Sequence, residues 1–180
     1  MGIYKKDGKE GIYKKYNENG ELELEANYKN DKLEGVYKHY HKNGKLWIEA
    51  NYKNDKLEGI TKEYYYKNGK LWSEASYKHG KLEGIYKEYS KNGYLREECN
   101  YKNDKKEGTC KQYYKNIGWY ELNFKNGKRE GARKFYDKNG NLRLDANYKN
   151  GELEGIYKEY SKNGNLELES NYKNGELEGI

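Results

Sequence analysis

The fold is decided by a stretch of about 24 residues that recurs along the chain. Residues 35–58 read GVYKHYHKNGKLWIEANYKNDKLE, and close variants lie before and after them. Each variant starts at the glycine of a Glu-Gly pair. These glycines are Gly11, Gly35, Gly59, Gly84, Gly108, Gly131, Gly155 and Gly179, at steps of 23 to 25 residues. Self-similarity at such a period indicates a repeat architecture.

Each repeat carries the signals of a β-hairpin. Asn-Gly pairs such as Asn43-Gly44 separate short runs that contain Tyr and Ile, which favours hairpin turns. In the run 46–52 apolar residues alternate with Trp, Glu and Asn, so one face of the strand is apolar. We therefore predict an all-β fold: one domain over 1–180, an elongated single-layer antiparallel sheet of about seven stacked β-hairpins. The repeat units are approximately 11–34, 35–58, 59–83, 84–107, 108–130, 131–154 and 155–178.

The composition excludes several classes of protein. Of the 180 residues 37% are charged and 33% hydrophobic, and 23 are tyrosine against two phenylalanines. That is too few aliphatic residues for a conventional two-layer core. No run is long enough for a membrane-spanning helix. The net charge of +6 comes from 36 cations and 30 anions, so we do not expect a dedicated nucleic-acid binder.

A specific strand register follows if each tyrosine of a second strand pairs with the glycine that follows it, as Tyr52 with Gly59. Ala26 then faces Tyr37 across the strands. On the other face six opposite-charge pairs form, and they are Glu25–Lys38, Glu49–Lys62, Glu74–Lys87, Glu98–Lys111, Glu121–Lys134 and Asp145–Lys158. Three carboxylates, Glu63, Glu88 and Glu159, would point to the apolar face.

The same register places Cys99 opposite Cys110. A disulfide between them is geometrically conceivable. The alternative is a pair of free thiols, which we favour because the chain starts without an apolar leader and we expect a cytoplasmic protein.

The stretch YKNGELEG, at 148–155 and 172–179, resembles the MORN repeat. The longer first hairpin is similar to the variant bacterial type, whose members are often labelled antitoxin components of toxin–antitoxin systems. The resemblance implies a single-layer sheet of hairpins that serves as a scaffold, a protein-binding module or a membrane-associated platform. Some relatives carry a lipid-kinase label, but the chain has no Gly-x-Gly-x-x-Gly loop and no kinase signature.

Aromatic and arginine side chains supply the candidate binding site. In the predicted register Trp47 lies over Tyr64, Trp72 over Tyr89, Arg96 beside Tyr113 and Trp119 over Tyr136. Such residues dominate binding hot spots, although the rings could simply pack on one another in place of a second layer. The predicted partner-binding residues are Trp47, Tyr64, Trp72, Tyr89, Arg96, Tyr113, Trp119, Tyr120 and Tyr136.

The unit 108–130 breaks the pattern, with Thr109 and Cys110 in place of Ile and Tyr and a shortened second half. We interpret this irregularity either as drift or as a bend or docking point.

We expect no catalytic residues, no cofactor and no metal. His39 and His41 lie two residues apart and form at most a minimal chelate, with ordinary surface histidines as the alternative. The leading hypothesis is a non-enzymatic scaffold that binds a protein partner along the aromatic residues or at an open sheet edge, where copies could also self-associate. Binding to an anionic membrane surface is the alternative.

Overall fold

A computed structural model describes residues 4–5 and 8–178. The last of the repeat glycines, Gly179, lies outside the described residues. Within them all regular structure is β-strand, which confirms the predicted all-β class of antiparallel hairpins. The chain divides into two compact units, Met1–Tyr94 and Leu95–Ile180.

In the first unit the paired strands of the described residues are antiparallel, and the two members of each pair are neighbours in the chain or are separated by one short strand. A two-stranded ribbon comes first, and a sheet of sequential hairpins follows. The ribbon consists of β1 (Tyr4–Lys5) and β2 (Gly8–Lys9), and the sheet of β3 (Gly11–Tyr16), β4 (Leu22–Lys29), β5 (Lys32–Tyr40), β6 (Leu46–Lys53), β7 (Lys56–Leu57), β8 (Gly59–Tyr64), β9 (Leu71–Lys78) and β10 (Lys81–Tyr89).

The second unit is a sheet built in the same way. Its strands are β11 (Leu95–Lys102), β12 (Lys105–Tyr114), β13 (Gly118–Lys125), β14 (Lys128–Asp137), β15 (Leu142–Lys149), β16 (Glu152–Leu153), β17 (Gly155–Tyr160), β18 (Leu166–Lys173) and β19 (Glu176–Glu178).

Two kinds of hairpin alternate along each unit. The tight hairpin has a two-residue loop such as Asn30-Asp31, whose φ angles of 51° and 64° are both positive. That is the geometry of a type I′ turn, which Asn, Asp and Gly adopt at low cost. The long hairpin turns through the Asn-Gly segment, for example between β3 and β4.

The predicted pairing of Tyr52 with Gly59 is wrong. Across the tight hairpin Tyr52 pairs with Leu57, and Gly59 pairs with Tyr77 in the next long hairpin. The reason is an irregularity at the Glu-Gly pair, where the backbone of Gly59 has a φ of 85°. This left-handed conformation favours glycine, so the residue is required by the backbone rather than by a tyrosine opposite it in the tight hairpin.

The rest of the register is as predicted on the charged side of each sheet. All six predicted pairs, from Glu25–Lys38 to Asp145–Lys158, are Cα partners. We call this side the Lys/Glu face of each unit. The ion pairs lie mainly across the long hairpins instead, as Lys38–Glu49 at 3.3 Å and Lys111–Glu121 at 3.0 Å. Five lysines are each flanked by two carboxylates and contact the later one in the chain, and they are Lys38, Lys62, Lys111, Lys134 and Lys158.

The opposite side, which we call the Tyr/Ala face, holds the core. Ala26 pairs with both Tyr13 and Tyr37 and is 1% exposed. The rings of Tyr37 and Tyr52 meet edge to face at 5.4 Å. Small residues thus let large rings lean over the sheet and exclude water without a second layer.

The second unit has its core at a disulfide. Cys99 and Cys110 are paired across β11 and β12, bonded to each other and fully buried. Leu122 packs against them. The structure therefore contains the disulfide between Cys99 and Cys110, and the expectation of two free thiols is wrong.

All three carboxylates predicted on the apolar side are partly buried there, and Glu88 pairs with Ser73. Glu63 pairs with Ile48 and Ser73, and burial raises the pKa of its carboxyl. Glu159 pairs with Leu144 and Leu168 and accepts a hydrogen bond from the hydroxyl of Tyr157.

Candidate functional site

Trp47 does not lie over Tyr64. Its ring contacts His39 and His41, with centroid distances of 5.0 and 5.6 Å. The cause is a bulge in the long hairpin, where His39 pairs with Ile48 but Tyr40 pairs with Leu46, so Trp47 has no partner of its own. A bulge re-aims the side chain of the extra residue.

Trp72 occupies the equivalent bulge of the next repeat, because Tyr64 pairs with Leu71. Its ring lies 6.4 Å from that of Tyr65 rather than over Tyr89. The carbonyl of Tyr89 accepts a 2.7 Å hydrogen bond from the Tyr65 hydroxyl. The predicted aromatic row is therefore broken in the first unit.

Trp119 is where the prediction holds. It pairs with Tyr113 on one side and with Tyr136 on the other, and its ring stacks on Tyr136 at 5.2 Å and 18°. The hairpin of β12 and β13 has no bulge, since Tyr114 pairs directly with Gly118. The irregular unit therefore keeps its tryptophan in register, whereas the regular repeats displace theirs.

Tyr120, also predicted in the site, points to the opposite face from Trp119. Its ring lies 4.6 Å from that of Phe135, and the Arg133 guanidinium lies 4.9 Å above it. Arg96 is exposed in β11, next to Glu97, which pairs with Gln112. The nine predicted residues therefore do not form one continuous surface.

A row of exposed β-branched side chains on the Lys/Glu face of the first unit was missed. It consists of Ile12, Val36, Ile60 and Ile85, which are 46 to 63% exposed. Asn27, Asn51 and Ser76 lie between them. The sequence does contain a signal for this row, because each of these residues directly follows a Glu-Gly pair.

Two residues of this row, Val36 and Ile60, line a shallow depression of about 170 Å³ together with Asn51 and Lys62. Small-molecule sites are usually about 300–1,000 Å³, so the depression suits a side chain of a larger partner better than a free ligand.

The histidines have aromatic neighbours. His41 stacks on Trp47 and meets Tyr66 edge to face at 4.9 Å. Among the described residues no three His, Cys, Asp or Glu side chains are grouped as metal ligands. The pair His39 and His41 thus forms part of an aromatic cluster around Trp47.

Fold and surface together define a β-hairpin repeat protein whose exposed faces present rows of similar side chains. The family model for the MORN repeat variant matches the chain six times, at 9–30, 33–54, 57–79, 82–103, 129–150 and 153–174. These matches cover more than half of the sequence, and the chain belongs to this family. They leave out 104–128, which contains the irregular hairpin of β12 and β13. Comparison with curated proteins gives no match.

Proposed function

We propose that this protein is a non-enzymatic repeat scaffold that binds a protein partner on the Lys/Glu face of its first unit. The observation that carries the proposal is the exposed row of Ile12, Val36, Ile60 and Ile85. The four side chains alternate with Asn27, Asn51 and Ser76, and exposed apolar side chains rimmed by polar groups are typical of protein interaction sites. Membership in a repeat family that suggests scaffolding supports it.

The surroundings of the row fit an interface. These side chains are about half exposed, so covering one contributes roughly 1 kcal/mol, half of the value for full burial. The neighbouring Lys and Glu supply the polar rim that interfaces usually have. Trp47 and Trp72, 44 and 39% exposed in the same unit, add the residue type most enriched in hot spots.

Charge pairing weighs against an anionic membrane as the partner. Lys14, Lys38 and Lys62 each have a glutamate carboxylate within 4 Å, whereas membrane attraction depends on clusters of unneutralised cations. No helix in the described part of the chain has the length and apolarity to cross a membrane.

Within this proposal a toxin is one class of protein partner, and that case rests only on the resemblance to proteins labelled as antitoxins. It is tested by co-expression with a candidate toxin.

The experiment is affinity capture with quantitative mass spectrometry, using Val36→Thr/Ile60→Thr as the test variant. Threonine keeps the β-branched shape and removes apolar surface. Ile156→Thr is the matched control, because Ile156 holds the same repeat position in the second unit and is 49% exposed. Proteins captured by the wild type and the control should fall about tenfold with the double variant. Equal capture by all three would contradict the proposal.

Trp47→Ala/Trp72→Ala tests the predicted aromatic residues in the same assay. If this variant also fails to capture the same proteins, the interface includes the two bulges that hold Trp47 and Trp72.

A further inference from the structure

The Tyr/Ala face of the second unit departs from the repeat by acquiring cations. Lys106 and Arg129 stand where other repeats have the leucine before Glu-Gly, such as Leu33 and Leu153. Arg133 stands where other repeats have tyrosine, such as Tyr37. A local rule broken in a regular array often marks a functional position.

Lys106 is neutralised within the fold. Its Nζ lies 2.8 Å from the Glu97 carboxylate, which also accepts a hydrogen bond from Gln112, and it sits over the ring of Phe124. This cation therefore has a structural role.

Arg133 has no such counter-charge. It is half-buried, its guanidinium lies 4.9 Å above the ring of Tyr120, and its Nη1 donates a long 3.3 Å bond to the Tyr148 hydroxyl. Its Nε is buried and finds no hydrogen-bond partner in the described residues. A partly buried cation with only neutral acceptors is costly unless an anion joins it.

Arg129 adjoins the same tyrosine. Its guanidinium lies 5.3 Å from the centroid of the Tyr148 ring, and among the described residues it makes no ion pair. Arg129 is exposed and Arg133 half-buried, so one tyrosine side chain joins two uncompensated arginines at the surface.

We propose that Arg129, Arg133 and Tyr148 form a docking site for the carboxylate side chains of an acidic protein segment. The guanidinium fork matches the two oxygens of a carboxylate, and such charge-assisted bonds are among the strongest polar contacts. The rings of Tyr120 and Tyr148 provide apolar surface beside the charges. The site lies on the opposite face from Trp119 and does not depend on the interface proposed for the first unit.

Two observations favour carboxylates over a lipid surface or a free phosphate. Two arginines fall short of the four to eight clustered cations that bind anionic lipid. The Glu159 carboxylate on the same face also opposes a doubly charged phosphate more than a singly charged carboxylate.

The chain itself supplies the variant that tests the site. Arg129→Leu/Arg133→Tyr restores the repeat sequence, so it should fold at least as well as the wild type. Lys125→Gln/Lys128→Gln removes two nearby charges and leaves the cluster intact. Arg129→Lys/Arg133→Lys keeps the charges and removes the planar fork.

The measurement is fluorescence anisotropy of full-length protein with labelled hexaglutamate, and hexaglutamine as the uncharged control. Wild type should bind hexaglutamate only. Arg129→Leu/Arg133→Tyr should weaken binding about 10- to 100-fold. Lys125→Gln/Lys128→Gln should keep its affinity within about twofold of the wild type. The affinity of Arg129→Lys/Arg133→Lys should lie between these two.

Three outcomes would overturn the site. They are absence of hexaglutamate binding by the wild type, equal losses in the arginine and the control variants, and tighter arginine-dependent binding to phosphatidylserine vesicles or inorganic phosphate than to the peptide. Circular dichroism of each variant verifies that its sheet is formed.

Discussion

The carboxylate of Glu34 accepts a 2.9 Å hydrogen bond from the backbone N–H of Asn54, the first residue of the next tight turn. The same bond joins Glu58 to His79, and Glu107, Glu130 and Glu154 to the turns about 20 residues ahead. The Glu-Gly pair therefore serves two purposes, since the glycine permits the bulge and the glutamate binds the following repeat.

Glu34→Ala should lower the free energy of unfolding by about 1 kcal/mol, because the Asn54 N–H loses a charged acceptor. Urea unfolding followed by circular dichroism measures the change. Glu18→Ala, in an exposed long turn, is the control and should have an effect below about 0.5 kcal/mol. Equal effects of the two variants would show that the inter-repeat bond contributes nothing.

Much of this fold could be predicted from the sequence, because the information lies in local signals. The Asn-Asp and Asn-Gly turns and the alternation in 46–52 fix the hairpins and the charge pairs. The Glu34–Asn54 bond could not be foreseen without coordinates, since it joins residues that no pairing rule connects.

The positions of Trp47 and Trp72 could not be predicted, because a bulge adds one residue to one strand only. In β6 this places Trp47 beside His39 and His41, whereas the hairpin of β12 and β13 has no bulge and Trp119 stacks on Tyr136. Strict alternation of side chains along a strand therefore predicts the position of Trp119 correctly but not that of Trp47.

Glu63→Gln should stabilise the protein at neutral pH. Burial raises the pKa of the Glu63 carboxyl, so the ionised form destabilises the folded state above the folded pKa, and the penalty disappears as pH falls below the unfolded pKa. Melting temperatures of wild type and variant at pH 7 and in mild acid test this. A variant that is less stable than wild type at pH 7 would contradict it.

Reduction of the Cys99–Cys110 disulfide should cost about 3 kcal/mol, since the bond closes a short loop in the unfolded chain. Cys99→Ala/Cys110→Tyr restores the residues of the other repeats and should show no response to reductant. Thermal unfolding with and without a phosphine reductant checks both. An unchanged wild-type transition would argue against the bond. Disulfides persist in oxidising compartments, so the cytoplasmic localisation expected from the sequence stays a prediction.

Gly118→Ala should destabilise the irregular hairpin by more than about 3 kcal/mol. A Cβ on Gly118 would lie 1.9 Å from the carbonyl oxygen of Tyr136, and backbone atoms in a paired strand cannot move aside cheaply. Gly164→Ala in a long turn, where a Cβ meets no atom within 4 Å, is the control for the positive φ alone. Equal stability of the two variants would contradict the predicted clash.

The most direct test of the strand register is the set of nuclear Overhauser contacts of the three indole rings. The structure predicts contacts from Trp47 to His39 and His41, from Trp72 to Tyr65, and from Trp119 to Tyr136. Contacts from Trp47 to Tyr64 and from Trp72 to Tyr89 would contradict it, because they require hairpins without bulges.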